Sequence, residues 1–64
     1  MNDADLDALY SRICHTMTAL GEAQAPLYLA RFALLALTQI GDRATGERLI
    51  TEAAIGLEPG PKGV

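Results

Sequence analysis

"LYLARFALLALTQIGD", residues 27–42, decides how this chain is read. It is apolar on nearly every side of a helix, with one arginine, Arg31, set inside it. Leu27, Leu34 and Thr38 fall near one face; Leu29, Phe32, Ala33 and Ala36 fall on others; Tyr28, Leu35 and Leu37 fill in. A single amphipathic stripe cannot account for so many apolar positions, and a helix apolar all round is buried on all sides. A chain of 64 residues offers little interior for that. Domains of this size remove only about 60% of their unfolded surface from water. The question posed by residues 27–42 is therefore what covers them.

The flanking sequence supplies two more helices. Residues 3–20 read as the first. Asn2 or Asp3 can accept hydrogen bonds from the first free backbone N–H groups, and Asp3, Asp5 and Asp7 favour the positive end of the helix dipole. Leu6, Leu9, Ile13, Met17 and Leu20 recur at spacings of three and four, a narrow apolar stripe. Gly21 ends this helix, as expected of a glycine able to take positive φ. The second helix starts between Glu22 and Pro26, Pro26 being suited to a first turn that needs no N–H partner, and is expected over about 23–40. Gly41 closes it and Asp42 caps the third helix, expected over about 43–56, with Leu49, Ile50, Ala53, Ala54 and Leu57 as its apolar set. Gly46 costs about 1 kcal/mol relative to alanine inside a helix, which predicts a loose first turn. Residues 58–64, "EPGPKGV", read as a disordered tail after a single domain at 2–57. The fold class is all-α: a three-helix antiparallel hairpin bundle, completed by dimerisation.

Small domains usually need a staple, such as a disulfide, a metal or a partner chain. Cys14 is the one cysteine and His15 the one histidine. An internal disulfide is impossible, and a structural zinc site wants four such ligands. A partner remains by elimination. The flanking helices have narrow, alanine-rich stripes that cover about half of helix two, and soluble monomers seldom leave an apolar face of several turns open. A second copy across a two-fold axis, with paired second helices, is the simplest closure. A larger, different protein is the other. The expected interface residues are Leu27, Tyr28, Arg31, Phe32, Leu34 and Leu35.

Arg31 has three readings. Its stem can lie on apolar surface with the guanidinium in water. It can form an ion pair that fixes helix register: in an antiparallel second hairpin, positions summing to about 83 face each other, which brings Arg31 to Glu52, while the first hairpin brings it near Ser11, with Asp7 one turn away. It can also hold an anionic ligand.

Other chemistry is poorly supported. The net charge is −3 and only Arg12, Arg31, Arg43, Arg48 and Lys62 are basic, which argues against nucleic acid. The turn between helices two and three could imitate a helix-turn-helix, but the would-be recognition helix carries Glu47 and Glu52 beside Arg43, Thr45 and Arg48. Residues 25–37 are too short to span a bilayer, and no basic face favours its surface. The opening residues lack the pattern of an export signal, so a cytoplasmic location is expected. Cys14 and His15 are neighbours pointing about 100° apart, so they do not form a nucleophile–base pair; Cys14 reads as a small apolar contact and His15 as a solvated residue. The acids at 3, 5 and 7 lack the glycine and the glutamate of a calcium loop, since Ala8 and Cys14 stand there. No catalytic residue, metal ligand or cofactor site is assigned.

The string "ARFALLALTQIGD", residues 30–42, preceded by Leu20, Glu22 and Gln24, resembles a bacterial domain family of unknown function, numbered twenty-seven eighty-three. Its members are short chains with an Asp-rich helical start, a Leu-x-x-x-Gln approach and an Ala-Arg-Leu-x-Leu-Leu-Leu-Ala-Asn-x-Ile-Gly-Asp core. Ala30, Arg31, Leu34, Leu35, Ala36, Ile40, Gly41 and Asp42 carry the likeness, which spans most of residues 5–55. Met17 stands where that pattern favours histidine, and Thr38 where it favours asparagine. The resemblance implies a small accessory subunit for a flavin-dependent or aromatic-catabolic enzyme. The functional expectation is thus a non-catalytic helical interaction protein, a homodimer or an accessory subunit. The alternative is a small-molecule or catalytic unit with an interfacial site around Arg31 and His15.

Overall fold

The computed structural model describes residues 1–60. Three helices follow one another: α1 (Asp3–Leu20), α2 (Ala25–Gln39) and α3 (Arg43–Ala54). The fold is all-α. Of the expected tail, residues 58–60 have no regular structure, and 61–64 lie outside the described residues.

Each helix begins where local chemistry allows it. The Asn2 side chain accepts from the Asp5 N–H at 2.8 Å, which settles the choice between Asn2 and Asp3. Pro26 stands in the first turn of α2, where its missing N–H costs nothing. Asp42, in an extended conformation, accepts from the Thr45 N–H at 2.8 Å and from the Thr45 hydroxyl at 2.8 Å. The first turn of α3 is therefore well capped, not loose as Gly46 suggested.

The helix ends differ from one another. Gly21 has φ 88° and ψ 163°, a region that only glycine enters without strain, and its N–H returns to the Met17 carbonyl at 2.9 Å. The expected glycine cap at Gly41 is not made. Helix α2 stops at Gln39, Ile40 turns extended at φ −83° and ψ 131°, and its N–H reaches the Leu37 carbonyl at 3.1 Å. Because the chain leaves α2 in extended conformation and enters Asp42 in extended conformation, no left-handed residue is needed at Gly41.

The helices touch only where they join. Among the described residues, no two α-carbons twelve or more positions apart come within 8 Å. Contacts between α1 and α2 gather around the Gly21–Gln24 turn, and the helices diverge from it into an open wedge lined by Leu9, Arg12, Ile13, Thr16, Tyr28 and Phe32. At the second joint, Gly46 is buried, with an added β-carbon there meeting Leu37 Cδ2 at 3.6 Å. Beyond this joint α3 leaves the rest of α2. The antiparallel register expected for α2 and α3 is accordingly absent from the single chain.

No hydrophobic side chain among the described residues is buried. The radius of gyration is 13.8 Å, against about 10.7 Å for a compact body of this length. The accessible surface is 5892 Å², whereas a compact 6.8 kDa monomer would expose about 3,950 Å². The single chain removes about 40% of its extended-chain surface from water, well short of the ~60% ordinary for its size.

Candidate interaction surface

Helix α2 meets α1 along the side of Tyr28 and Phe32 and meets α3 through Leu37. Beside that side runs a further row, Leu27, Arg31 and Leu34, whose first two members share a shallow cleft with Leu20 of α1. Leu27 and Leu34 are seven apart with Arg31 between them, so the three stand in one row, with Leu35 beside Arg31. Leu27 is 53% exposed, Leu34 65% and Leu35 66%. Phe32 is exposed at the mouth of the wedge and Tyr28 is half-buried there. All six expected interface residues thus carry accessible surface, in two adjacent rows of one helix, Leu27–Arg31–Leu34 and Tyr28–Phe32–Leu35.

The polar groups near this surface are satisfied by their own helix. The Thr38 hydroxyl donates to the Leu35 carbonyl at 2.6 Å, and in the wedge Thr16 donates to the Arg12 carbonyl at 2.8 Å. A partner could cover both threonines without orphaning a donor. Arg12 in the wedge has no carboxylate within 4 Å among the described residues, and neither has Arg31. Arg31 lies beside a shallow cleft with Leu20, Gln24, Leu27 and Tyr28.

The expected Arg31–Glu52 pair is not made within the chain. Glu52 instead accepts from Arg48, with both oxygens 3.1 Å from one guanidinium nitrogen, and Arg43 pairs with Glu47 at 2.7 Å. The reason is geometric: Arg48 is one turn from Glu52 on the same helix, while no α-carbon of α3 twelve or more positions from one of α2 comes within 8 Å of it. Asp7 and Ser11 likewise stay away from Arg31, because α1 diverges from the Gly21 turn.

The remaining candidates sit apart. His15 is exposed on α1 and lines no cleft with Arg31, so one chain does not assemble the alternative site. Cys14 is exposed, not the apolar contact expected of it, because no helix packs on that side of α1. The Asp42 carboxyl is held below its ordinary pKa by the hydrogen bonds from the Thr45 backbone and hydroxyl, as befits a helix cap rather than a reacting group.

Sequence reasoning overlooked one surface. The first half of α1 presents Leu6, Leu9 and Tyr10 to solvent. The signal was available: Tyr10 follows Leu6 by four and precedes Ile13 by three, which widens the stripe to a face needing cover of its own. No family model matches the chain, and no curated protein and no solved structure matches it either.

Proposed function

We propose that this chain is a small non-catalytic interaction protein that completes its fold by pairing with a second copy, burying α2 through Leu27, Leu34, Leu35 and Phe32 with Tyr28 at the margin. What supports the reading is the surface left uncovered by one chain. Two copies packed into a single compact body of doubled mass would remove about 5,200 Å² from water, at the upper end of what obligate homodimers bury. Each large apolar side chain moved from water contributes about 1.5–3 kcal/mol, and fifteen such residues are exposed here, so ample driving force exists.

The motif likeness supports a wider role for the pair, as an accessory subunit of a flavin-dependent or aromatic-catabolic enzyme in the cytoplasm. No residue of this chain is given a chemical step. No helix of the described residues is long and apolar enough to cross a membrane.

A self-assembling protein and a ligand-binding unit respond differently to heat. For the former, the melting midpoint rises with protein concentration, because association is part of folding. A small-molecule site raises the midpoint with ligand at fixed protein concentration. A midpoint independent of protein concentration over about three decades would reject the assembly reading.

A further inference from the structure

Once locally paired charges are set aside, the chain is left with an unequal division. On α3, Arg43 and Arg48 are taken by Glu47 and Glu52, and Asp42 is taken by Thr45. On α2, Arg31 is the one charged residue and has no carboxylate within 4 Å among the described residues. On the first half of α1, Asp3, Asp5 and Asp7 have no cation within that distance among the described residues. Two side-chain cations are left without a carboxylate within 4 Å among the described residues: Arg12, in the wedge between α1 and α2, and Arg31, in the apolar row of α2. Two of the unpaired anions, Asp3 and Asp7, stand in one row with exposed Tyr10 and beside exposed Leu6.

The two rows have matching form. Leu27, Arg31 and Leu34 follow one another by four and three, with Leu35 alongside. Asp3, Asp7 and Tyr10 do the same on α1, with Leu6 alongside. Each row is about 10.5 Å long at the rise of an α-helix. One carries a guanidinium among leucines; the other carries two carboxylates one turn apart beside Leu6 and Tyr10. These rows cannot meet within one chain, since α1 and α2 diverge from the Gly21 turn.

Resting on the homodimer reading above, we infer that the first half of α1 of one copy seats on the outer face of α2 of the other. Leu6 and Tyr10 cover Leu27, Leu34 and Leu35, and Arg31 sits between Asp3 and Asp7 of the second copy. The two-fold axis repeats the contact, so each copy supplies both faces once. Direct pairing of two α2 outer faces would instead bring like-charged Arg31 side chains into one interface with no anion between them. Helix α3 is the poorer occupant, because its carboxylates are already engaged by its own arginines.

The test is a charge exchange between copies. Arg31→Glu alone sets like charges against Asp3 and Asp7 of its partner, and Asp3→Asn/Asp7→Arg alone sets like charges against Arg31. Each should weaken self-association by about tenfold or more, as read by sedimentation equilibrium. In an equimolar mixture both contacts regain opposite charges, and a heterodimer should form with affinity near that of the wild type. If either variant is unfolded alone, recovery of helical circular dichroism on mixing carries the same meaning. A wild-type dimer whose variants show no preference for each other would refute this pairing while leaving the homodimer in place. A wild type that stays monomeric would remove both.

Discussion

Leu34→Ala measures how much of the assembly rests on the outer face of α2. Leu34 is 65% exposed in the single chain. Fully removing a leucine side chain from water contributes about 1.5–3 kcal/mol, so covering that exposed portion is worth about 1–2 kcal/mol per copy. A two-fold interface counts the residue twice, giving about 2–4 kcal/mol per dimer, or on the order of a hundredfold in the dissociation constant. The assay is a dilution series followed by far-ultraviolet circular dichroism, because helices without a core lose order when the partner leaves. The midpoint of the dilution curve should move upward by about two decades for Leu34→Ala, and further for Leu34→Asp, which also buries a charge. A midpoint shifted by less than about threefold would mean that Leu34 stays in water in the assembled state, and the assignment of this face would be wrong.

Three further substitutions probe the parts that build this surface. Gly21→Ala should cost about 1–3 kcal/mol, since φ 88° with ψ 163° admits a β-carbon only under strain; a thermal midpoint equal to wild type would contradict the turn geometry. Gly46→Ala should stabilise by about 1 kcal/mol, because the new methyl meets Leu37 Cδ2 at an ordinary 3.6 Å and α3 loses a glycine; a fall in midpoint would mean the joint is tighter than described. The Asp42 carboxyl is lowered in the folded chain, so its contribution is complete above the ordinary carboxylate pKa and is lost as pH falls through the lowered value. Acidification should fray α3 in the wild type, and in Asp42→Asn that component of the pH response should vanish.

Local chemistry was legible in the sequence and long-range placement was not. The cap at Asp42, the break at Gly21 and the proline in the first turn of α2 each depend on a few adjacent residues, and each could be read from them. Gly41 was misread because glycine after a helix usually signals a left-handed cap, whereas Ile40 here turns extended and makes one unnecessary. The Arg31–Glu52 register assumed that two helices joined by a short turn lie antiparallel. Nothing in the pattern announced that α3 would touch α2 only near Leu37 and Gly46 and then leave it. The apolar character of α2 was read correctly, but the answer to what covers it was sought partly in α1 and α3, which contact it only at its ends. The outer face of α1 was passed over because its leucines looked already committed to α2.

The central claim is that one chain is an incomplete fold and that a second copy completes it. Sedimentation equilibrium of the wild-type protein addresses this most directly, since mass is read without assumptions about shape. The account predicts a single species of twice 6.8 kDa that dissociates only on strong dilution, with loss of helix on dissociation. A well-ordered species of 6.8 kDa at every concentration would contradict it.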